Sequence, residues 1–199
     1  MLESKFFKLP VEEFISSEAS EVDASELFIS KYLNKHYLKI KNLSDDLLRL
    51  PSPEEIFFLQ TDNSFNAFTF IPLIAKLQSI KELYASTYSI NIRVIKSLIE
   101  LHDAGLVEQI TLLISDCLRK RNPTTYDLLS ALILSRPNIK VIYSWNHSKI
   151  SLLRTDSNDY VIEGSGNWSE NAFYEQYAFS NSKDVFEFRK QMFTNAKLR

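Results

Sequence analysis

The sequence predicts an α/β domain in which helices flank a mixed, largely parallel sheet. Between about residue 56 and residue 193, short blocks rich in β-branched and aromatic residues alternate with helical apolar stripes. The connections between these blocks are short, which implies right-handed crossovers between parallel strands. Hydrophobic residues make up 45% of the chain, which is enough for a buried core.

Each element follows from a local pattern. Strands are predicted at 56–59, 82–88, 109–115, 139–143, 150–153, 160–162 and 175–180, and helices at 65–77, 90–104, 124–135 and 184–194. In the first helix, Pro72 produces a kink or marks the true start. Gly105 ends the second helix, and Thr124 or Thr125 caps the third.

The first 50 residues differ in composition from the rest of the chain. Residues 1–26 carry seven acidic residues, and residues 27–50 are rich in lysine, with apolar residues at helical spacing. Pro51 and Pro53 then interrupt the pattern. We therefore expect a mostly helical extension at 1–50, acidic and then lysine-rich, followed by one domain at 51–199.

Composition excludes several classes of protein. The net charge of -2 gives no overall basic field of the kind that nucleic-acid-binding domains show. A single cysteine, Cys117, rules out an intrachain disulfide and fits a reducing compartment. We see neither a signal peptide nor an apolar run of the roughly 20 residues that a membrane span needs. The expectation is a cytoplasmic protein without a membrane partner.

One stretch of the chain carries chemistry. His147 and Lys149 are two residues apart, so they share one face of a strand. The turn Gly164-Ser165-Gly166-Asn167 follows the next strand, and Glu175 lies beyond it. An imidazole, an ammonium, a hydroxyl and a carboxamide that converge on one point suit the attack on a phosphoryl group. The simpler interpretation is a β-hairpin with an ordinary glycine turn and a surface His-Lys pair.

These residues resemble the HKD motif of the phospholipase D superfamily, which reads His-x-Lys-x-x-x-x-Asp followed by Gly-Ser-x-Asn. The sequence departs from the motif at Arg154, which stands where the family has Asp. The resemblance implies a two-step reaction in which His147 forms a covalent phosphohistidine. Lys149 and Asn167 would bind phosphoryl oxygens. Ser165 would add a hydroxyl contact, and Glu175 would hold the imidazole ring.

The resemblance also implies that no cofactor and no metal ion take part. A second histidine has to protonate the leaving oxygen, and single-motif members of the superfamily resemble half of a two-motif enzyme and dimerise. The chain carries one such motif. We therefore predict an isologous homodimer that brings two copies of His147 into one shared site.

Three loops are expected at the edge of the sheet where parallel strands end, because ligands bind there in folds of this class. The middle loop contains Arg119, Lys120 and Arg121, the densest basic cluster in the chain. Nearby aromatic side chains could stack on bases, namely Tyr88, Trp145 and Trp168. The alternatives are a solvated basic loop and, for at least one tryptophan, a place in the core.

The resemblance implies a phosphodiester hydrolase, and the basic loop with its aromatic neighbours favours a nuclease that acts on DNA or RNA. One alternative is a catalytically weak or inactive module that binds phosphate or nucleic acid, which Arg154 in place of the motif Asp favours. A phospholipase is a further alternative, although the sequence shows no convincing amphipathic face for docking to a membrane.

Overall fold

The computed structural model describes residues 37–62, 65–169 and 173–196. The predictions for the acidic segment, for most of the lysine-rich segment and for His36 lie outside the described residues. The helices are α1 (Tyr37–Leu47), α2 (Phe70–Leu77), α3 (Ile92–Asp103), α4 (Leu118–Arg121), α5 (Pro123–Ile133) and α6 (Lys183–Thr194). The strands are β1 (Glu55–Asp62), β2 (Ile80–Thr87), β3 (Val107–Ser115), β4 (Ile139–Ser144), β5 (Ile150–Arg154), β6 (Asp159–Gly164) and β7 (Tyr174–Asn181).

The strands form one mixed sheet in the order β1-β7-β6-β5-β2-β3-β4. The neighbours β2, β3 and β4 are parallel. The other four pairs, β2 with β5, β5 with β6, β6 with β7 and β7 with β1, are antiparallel. The mixed α/β class with flanking helices is confirmed. The sheet is less parallel than predicted, because helical crossovers stop at β4 and short connections join β5, β6 and β7, as antiparallel neighbours allow.

Helices cover the sheet on both faces. The larger core packs α1 to α5 on one face, with residues such as Leu43, Ile74 and Leu98 almost fully buried. The smaller core lies on the opposite face, where Phe186 and Phe193 of α6 pack on β5, β6 and the neighbouring strands. The sheet is therefore packed on both faces.

The helix boundaries follow from capping. The Asn91 side chain accepts the Val94 N–H at the start of α3, and Gly105, with φ of 73°, follows its end as predicted. Helix α5 is capped by Asn122, whose side chain accepts the Thr125 N–H, so the predicted cap at Thr124 or Thr125 is wrong. Pro123 at the first position of α5 needs no N–H partner, which favours Asn122 as the cap.

Two further segments refine the predicted elements. Pro72 lies in the first turn of α2, after a 3-10 turn at Ala67–Thr69, so it marks the start of the helix and not a kink within it. Ile40 and Leu47 of α1 are buried in the larger core. The part of the N-terminal extension that the structure describes is therefore packed into the larger core against α2 and the 3-10 turn before it, and the boundary near Pro51 stays a prediction.

Candidate active site

The predicted site residues lie at one edge of the sheet. Strand β5 pairs with β2 and β6, and β7 pairs with β6, all in antiparallel fashion. The ends of β2 and β6 are therefore next to the starts of β5 and β7. The Gly164 N–H donates to the Lys149 carbonyl across this edge, at 3.3 Å. The side chains gathered here are those of His147, Lys149, Ser165, Asn167 and Glu175.

His147 and Lys149 contact each other directly. The Lys149 Nζ lies 3.2 Å from the Nδ1 atom of His147 and donates to the carbonyl oxygen of that residue at 2.8 Å. Burial lowers the pKa of Lys149, and the nearby carboxylate of Glu175 opposes this shift. The imidazole itself is exposed. A cation and an accessible ring nitrogen thus stand side by side at the surface.

Glu175 makes a different contact from the one that the resemblance implies. The Ser165 hydroxyl donates to the Glu175 carboxylate, and the N–H of Gln176 donates to the Ser165 Oγ at 3.1 Å. The nitrogen of His147 that Glu175 was expected to hold faces Lys149 instead. Glu175 therefore fixes the Ser165 hydroxyl and contributes negative charge near Lys149.

Asn167 is oriented by the end of β2. Its Oδ1 accepts the Tyr88 N–H at 3.2 Å and the Thr87 hydroxyl at 3.5 Å. The same Thr87 hydroxyl oxygen accepts the Trp168 N–H at 3.1 Å, which ties the motif turn to β2. Because the carboxamide oxygen is occupied, the Nδ2 group of Asn167 remains as a donor for an anionic ligand.

The two glycines of the motif are required by close packing against β7. A Cβ added to Gly164 would lie 2.2 Å from the Gln176 carbonyl oxygen, and one added to Gly166 would lie 2.1 Å from the Tyr177 hydroxyl oxygen. Neither glycine has the positive φ that Gly105 adopts. The Gly-x-Gly spacing therefore lets the turn lie flat against Tyr177.

A buried asparagine that sequence reasoning did not find positions the His147 segment. Asn146 is 7% exposed. Its Nδ2 donates to the Ser86 hydroxyl at 3.0 Å and to the Leu113 carbonyl at 3.1 Å, and its Oδ1 accepts the Ser148 N–H at 3.0 Å. These bonds join β2, β3 and the residue after His147. An Asn directly before the His is the one local signal that could have indicated this role.

The basic cluster is a one-turn helix, α4, where a loop was predicted. The structure separates its members. The Arg121 guanidinium donates to the Tyr88 hydroxyl and lies 5.1 Å from the centre of that ring, and the Tyr88 ring is 4.9 Å from the ring of His147. Arg119 instead lies over Tyr126 at 5.7 Å, and Lys120 is exposed. Arg121 is the member of the cluster that this chain of contacts links to His147.

The two tryptophans have different environments. Trp145 is 72% exposed next to Asn146, so its ring is accessible to a ligand. Trp168 is 1% exposed and packs edge-on against Phe68, at 5.3 Å between ring centres. The prediction that Trp168 stacks on a substrate is wrong, because its indole ring belongs to the core.

Arg154, the departure from the motif, lies at the opposite end of β5. Its guanidinium forms ion pairs with Asp159, at 2.7 Å, and with Glu187, and lies 4.3 Å above the Phe186 ring. Burial would lower the pKa of Arg154, but these carboxylates raise it above its ordinary value. Arg154 follows Lys149 by five positions along the extended chain, about 17 Å. The substitution therefore leaves the contacts around His147 intact.

Among the described residues, no three His, Cys, Asp or Glu side chains are grouped as potential metal ligands. None of the helices that these residues form is long and apolar enough to cross a membrane.

Comparison with known proteins establishes the fold. No protein-family model and no curated protein matches the chain. The solved structure of polyphosphate kinase from Porphyromonas gingivalis matches 72% of this chain at a TM-score of 0.55 and 13% identity. Phosphatidylserine synthase from Haemophilus influenzae Rd KW20 also matches 72% of it, at a TM-score of 0.50 and 13% identity.

The matched regions span 26% of the kinase chain and 40% of the synthase chain. The chain therefore shares its fold with parts of these two proteins. At this level of identity the likeness extends to the fold, and the chemistry has to be argued from the site.

Proposed function

We propose that this chain is a phosphodiesterase that cleaves DNA or RNA without a metal ion, through a phosphohistidine on His147. The observation that carries the proposal is the 3.2 Å contact between Lys149 Nζ and His147 Nδ1, at the edge where Asn167 and Ser165 also lie. An ammonium, a carboxamide and a hydroxyl around an imidazole can neutralise phosphoryl oxygens while the ring attacks. The names of the two structural neighbours, a polyphosphate kinase and a phosphatidylserine synthase, support phosphoryl transfer as the class of reaction.

Lys149 has to move for the reaction to begin. While its ammonium donates to Nδ1, the ring proton resides on Nε2, and Nε2 then has no lone pair for attack. A bound phosphate attracts the ammonium to its own oxygens and releases Nδ1. Nδ1 then takes the ring proton, and Nε2 becomes the nucleophile. In this scheme substrate binding itself switches His147 to the reactive tautomer.

The leaving oxygen needs a proton from a second group. His102 lies in the last turn of α3 and contacts Asp103, so it is held away from the site. We infer that His147 of a second copy supplies the proton. His147 of one copy attacks phosphorus, the bond to the leaving oxygen breaks, and that oxygen takes the proton. Water then attacks the phosphorus of the phosphohistidine, the bond between phosphorus and Nε2 breaks, and the second imidazole takes a proton from the water.

The shared site predicts a homodimer. Sedimentation at micromolar concentration should give twice the 23.1 kDa chain mass. In the proposed dimer a two-fold axis passes through the bound phosphate. A monomer that cleaved phosphodiesters at an enzyme's rate would contradict the shared site.

The test of the function uses labelled single-stranded and double-stranded DNA and RNA in excess EDTA. We expect cleavage by the wild-type chain and none by the His147→Asn variant. Retarded migration without cleavage would instead identify a phosphate-binding module. Cleavage of phospholipid vesicles but of no polynucleotide would identify a phospholipase. A strict requirement for a divalent ion would refute the mechanism through Lys149.

A further inference from the structure

We propose that the open face of strands β1 and β7 binds unpaired bases, so that the polynucleotide cleaved at His147 is single-stranded. This inference rests on the proposed function, because it specifies which form of nucleic acid the site takes. We call this surface the β1–β7 face. It consists of the side chains that the two strands direct away from the larger core, namely Phe58, Gln60, Tyr174, Gln176 and Ala178.

Strand alternation brings these side chains together. The residues that alternate with them are buried in the larger core, namely Phe57, Leu59, Tyr177 and Phe179. Because successive side chains of a strand point to opposite faces, the others lie on the far side of the sheet. The antiparallel register places Gln60 opposite Gln176 and Phe58 opposite Ala178. On this side of the sheet α6 packs on β5 and β6, beside the β1–β7 face.

Two aromatic rings of this face are accessible to a ligand. Tyr174 is 74% exposed and Phe58 is 70% exposed. Ala178, which lies opposite Phe58, is four residues from Tyr174 on β7, about 13 Å, so each ring has room for a base of its own. Every base has a face that can stack on an aromatic ring, and this stacking is a main source of affinity for single strands.

The polar side chains between the rings also suit a base. Gln60 and Gln176 form a cross-strand pair, and both are exposed. Each carboxamide donates and accepts hydrogen bonds, as the edges of the bases do. Open sheets that carry exposed aromatic residues bind single-stranded RNA in this way. The β1–β7 face thus offers stacking surfaces and hydrogen-bonding groups on one open sheet.

Two adjoining cavities connect the face to the candidate active site. The larger cavity, of about 680 Å³, is lined in part by Phe58, Gln60 and Gln176 and reaches Gly164 of the motif turn. The smaller cavity, of about 290 Å³, shares both glutamines and is lined in part by Ser165, a motif residue. The two cavities therefore form one groove that runs from Phe58 to the motif turn.

The end of this groove at the motif turn is linked to His147. The Ser165 hydroxyl donates to the Glu175 carboxylate. That carboxylate acts electrostatically on Lys149, whose Nζ lies 3.2 Å from the Nδ1 atom of His147. A strand whose attacked phosphate lies at Lys149 and His147 can therefore place a neighbouring base in the smaller cavity.

The charges of the groove favour bases over phosphates. Among the described residues, no lysine or arginine lines either cavity. The two carboxylates that line the groove are already engaged: Glu163 accepts from Arg189 at 2.5 Å, and Glu175 accepts from the Ser165 hydroxyl. A phosphate binds through cations, whereas an uncharged base needs none. A duplex presents its phosphates and keeps its bases paired, so this face suits a single strand that turns its bases inward.

Binding without cleavage tests the β1–β7 face. The full chain with His147→Asn is titrated with a labelled DNA strand, with the same strand in a duplex, and with an abasic strand of equal length. We expect the single strand to bind about 10-fold more tightly than either of the other two ligands. Tyr174→Ala or Phe58→Ala should remove most of this preference, because each takes away a stacking ring. Tyr174→Phe should keep the preference, because it retains the ring.

Two exposed residues outside the groove provide matched controls. Phe188 is 62% exposed on α6, Gln109 is exposed on β3, and neither lines the two cavities. Phe188→Ala is the control for the ring variants. Gln109→Ala is the control for Gln176→Ala, which should weaken binding of the single strand about 5-fold through the loss of hydrogen bonds. All these side chains are exposed, so the Tm of each variant should stay near that of the wild type.

Equal affinities for the single strand, the duplex and the abasic strand would overturn the inference. Ring variants that bind the single strand as tightly as Phe188→Ala does would also overturn it. If Tyr174→Ala or Phe58→Ala converted a dimer into a monomer without changing the affinity for the strand, the face would be a protein interface and the inference would be wrong. Ring-dependent binding of the single strand by a wild-type chain that cleaves nothing would refute the proposed function and leave the β1–β7 face as a base-binding surface.

Discussion

The two ends of strand β5 hold their charged side chains in opposite ways. Before its start, the hydrogen bonds of Lys149 go to His147, at 2.8 and 3.2 Å, and the imidazole of His147 is exposed. At its far end, Arg154 pairs with Asp159 at 2.7 Å and with Glu187, and it lies 3.6 Å from Glu82. Among the described residues, the cation at one end has no carboxylate within ion-pair distance, and the cation at the other end is surrounded by three.

This difference gives a structural reason for the arginine at position 154. Glu82 and Asp159 are the direct cross-strand neighbours of position 154. Like charges directly opposite each other destabilise a sheet, so an Asp at this position would face two acids. The positive charge of Arg154 is instead balanced by Glu82, Asp159 and Glu187, all of which lie at the far end of β5. We infer that the departure concerns the stability of the sheet edge and not the chemistry at His147.

The largest expected effect on activity is at the His147 end of β5. His147→Asn should reduce phosphodiester turnover at least ~10³-fold, because the covalent nucleophile is lost. The melting temperature should stay near that of the wild type, since the ring is exposed. Turnover is measured with a labelled oligonucleotide, and melting by circular dichroism. Wild-type turnover in this variant would refute the phosphohistidine mechanism.

A substitution at the Arg154 end of β5 should change the free energy of unfolding. Arg154→Asp restores the family residue but places it among Glu82, Asp159 and Glu187, so we expect a loss of about 3 kcal/mol in the free energy of unfolding, measured in urea. A double variant, Arg154→Asp with Glu187→Arg, should recover part of this loss, because the cation returns to the same cluster. An Arg154→Asp variant as stable as the wild type would contradict the role of Arg154 in stability. An Arg154→Asp variant that is stable but has lost turnover would contradict the inference that position 154 does not affect the chemistry.

A third experiment tests how closely the motif turn packs against Tyr177 at the His147 end of β5. Gly166→Ala places a Cβ against the Tyr177 hydroxyl, which is 2.1 Å away, and should cost about 1–3 kcal/mol of stability together with turnover. Adding Tyr177→Phe removes the obstructing oxygen and should restore part of both. If Gly166→Ala behaved as the wild type, the close approach of the turn to β7 would not be a requirement of the site.

The sequence predicted the parts of the site that local pattern controls. Alternation of apolar residues gave β5 and β6, and the pairing of these strands brings Lys149 and Ser165 to one edge. The sequence could not decide between Trp145 and Trp168, because both lie within two residues of a motif residue. Trp168 is buried against Phe68, which is far away in the chain.

The same limit applies to polar contacts and to strand direction. The partners of Asn146 come from β2 and β3, so no spacing near His147 reveals them. The direction of β5 depends on its insertion next to β2, which the helical alternation before it does not indicate. Long-range packing decided each feature that local pattern left open.

The smallest expected effects are shifts in melting temperature when Arg154 or Lys149 is replaced by methionine. The Arg154 guanidinium holds the pKa of Glu187 below its ordinary value of 4.5. A carboxylate with a lowered pKa in the folded state adds stability above that ordinary value and loses it as the pH falls. Arg154→Met should therefore lower the Tm by a few degrees at pH 7, about 2–4 °C per kcal/mol, and by less as the pH falls below 4.5. A pH-independent difference would show that Arg154 acts through packing on Phe186.

Lys149→Met, at the other end of the same strand, should shift the Tm in the opposite direction or leave it unchanged. Burial lowers the pKa of Lys149 in the folded chain, so its charged form opposes folding at every pH below its folded pKa. Removing that charge relieves the opposition, while turnover falls because no other cation contacts His147 among the described residues. A variant that is more stable and less active marks a residue kept for its ligand. Loss of stability in Lys149→Met comparable to that in Arg154→Met would show that both ends of β5 are structural, and the contrast between them would fail.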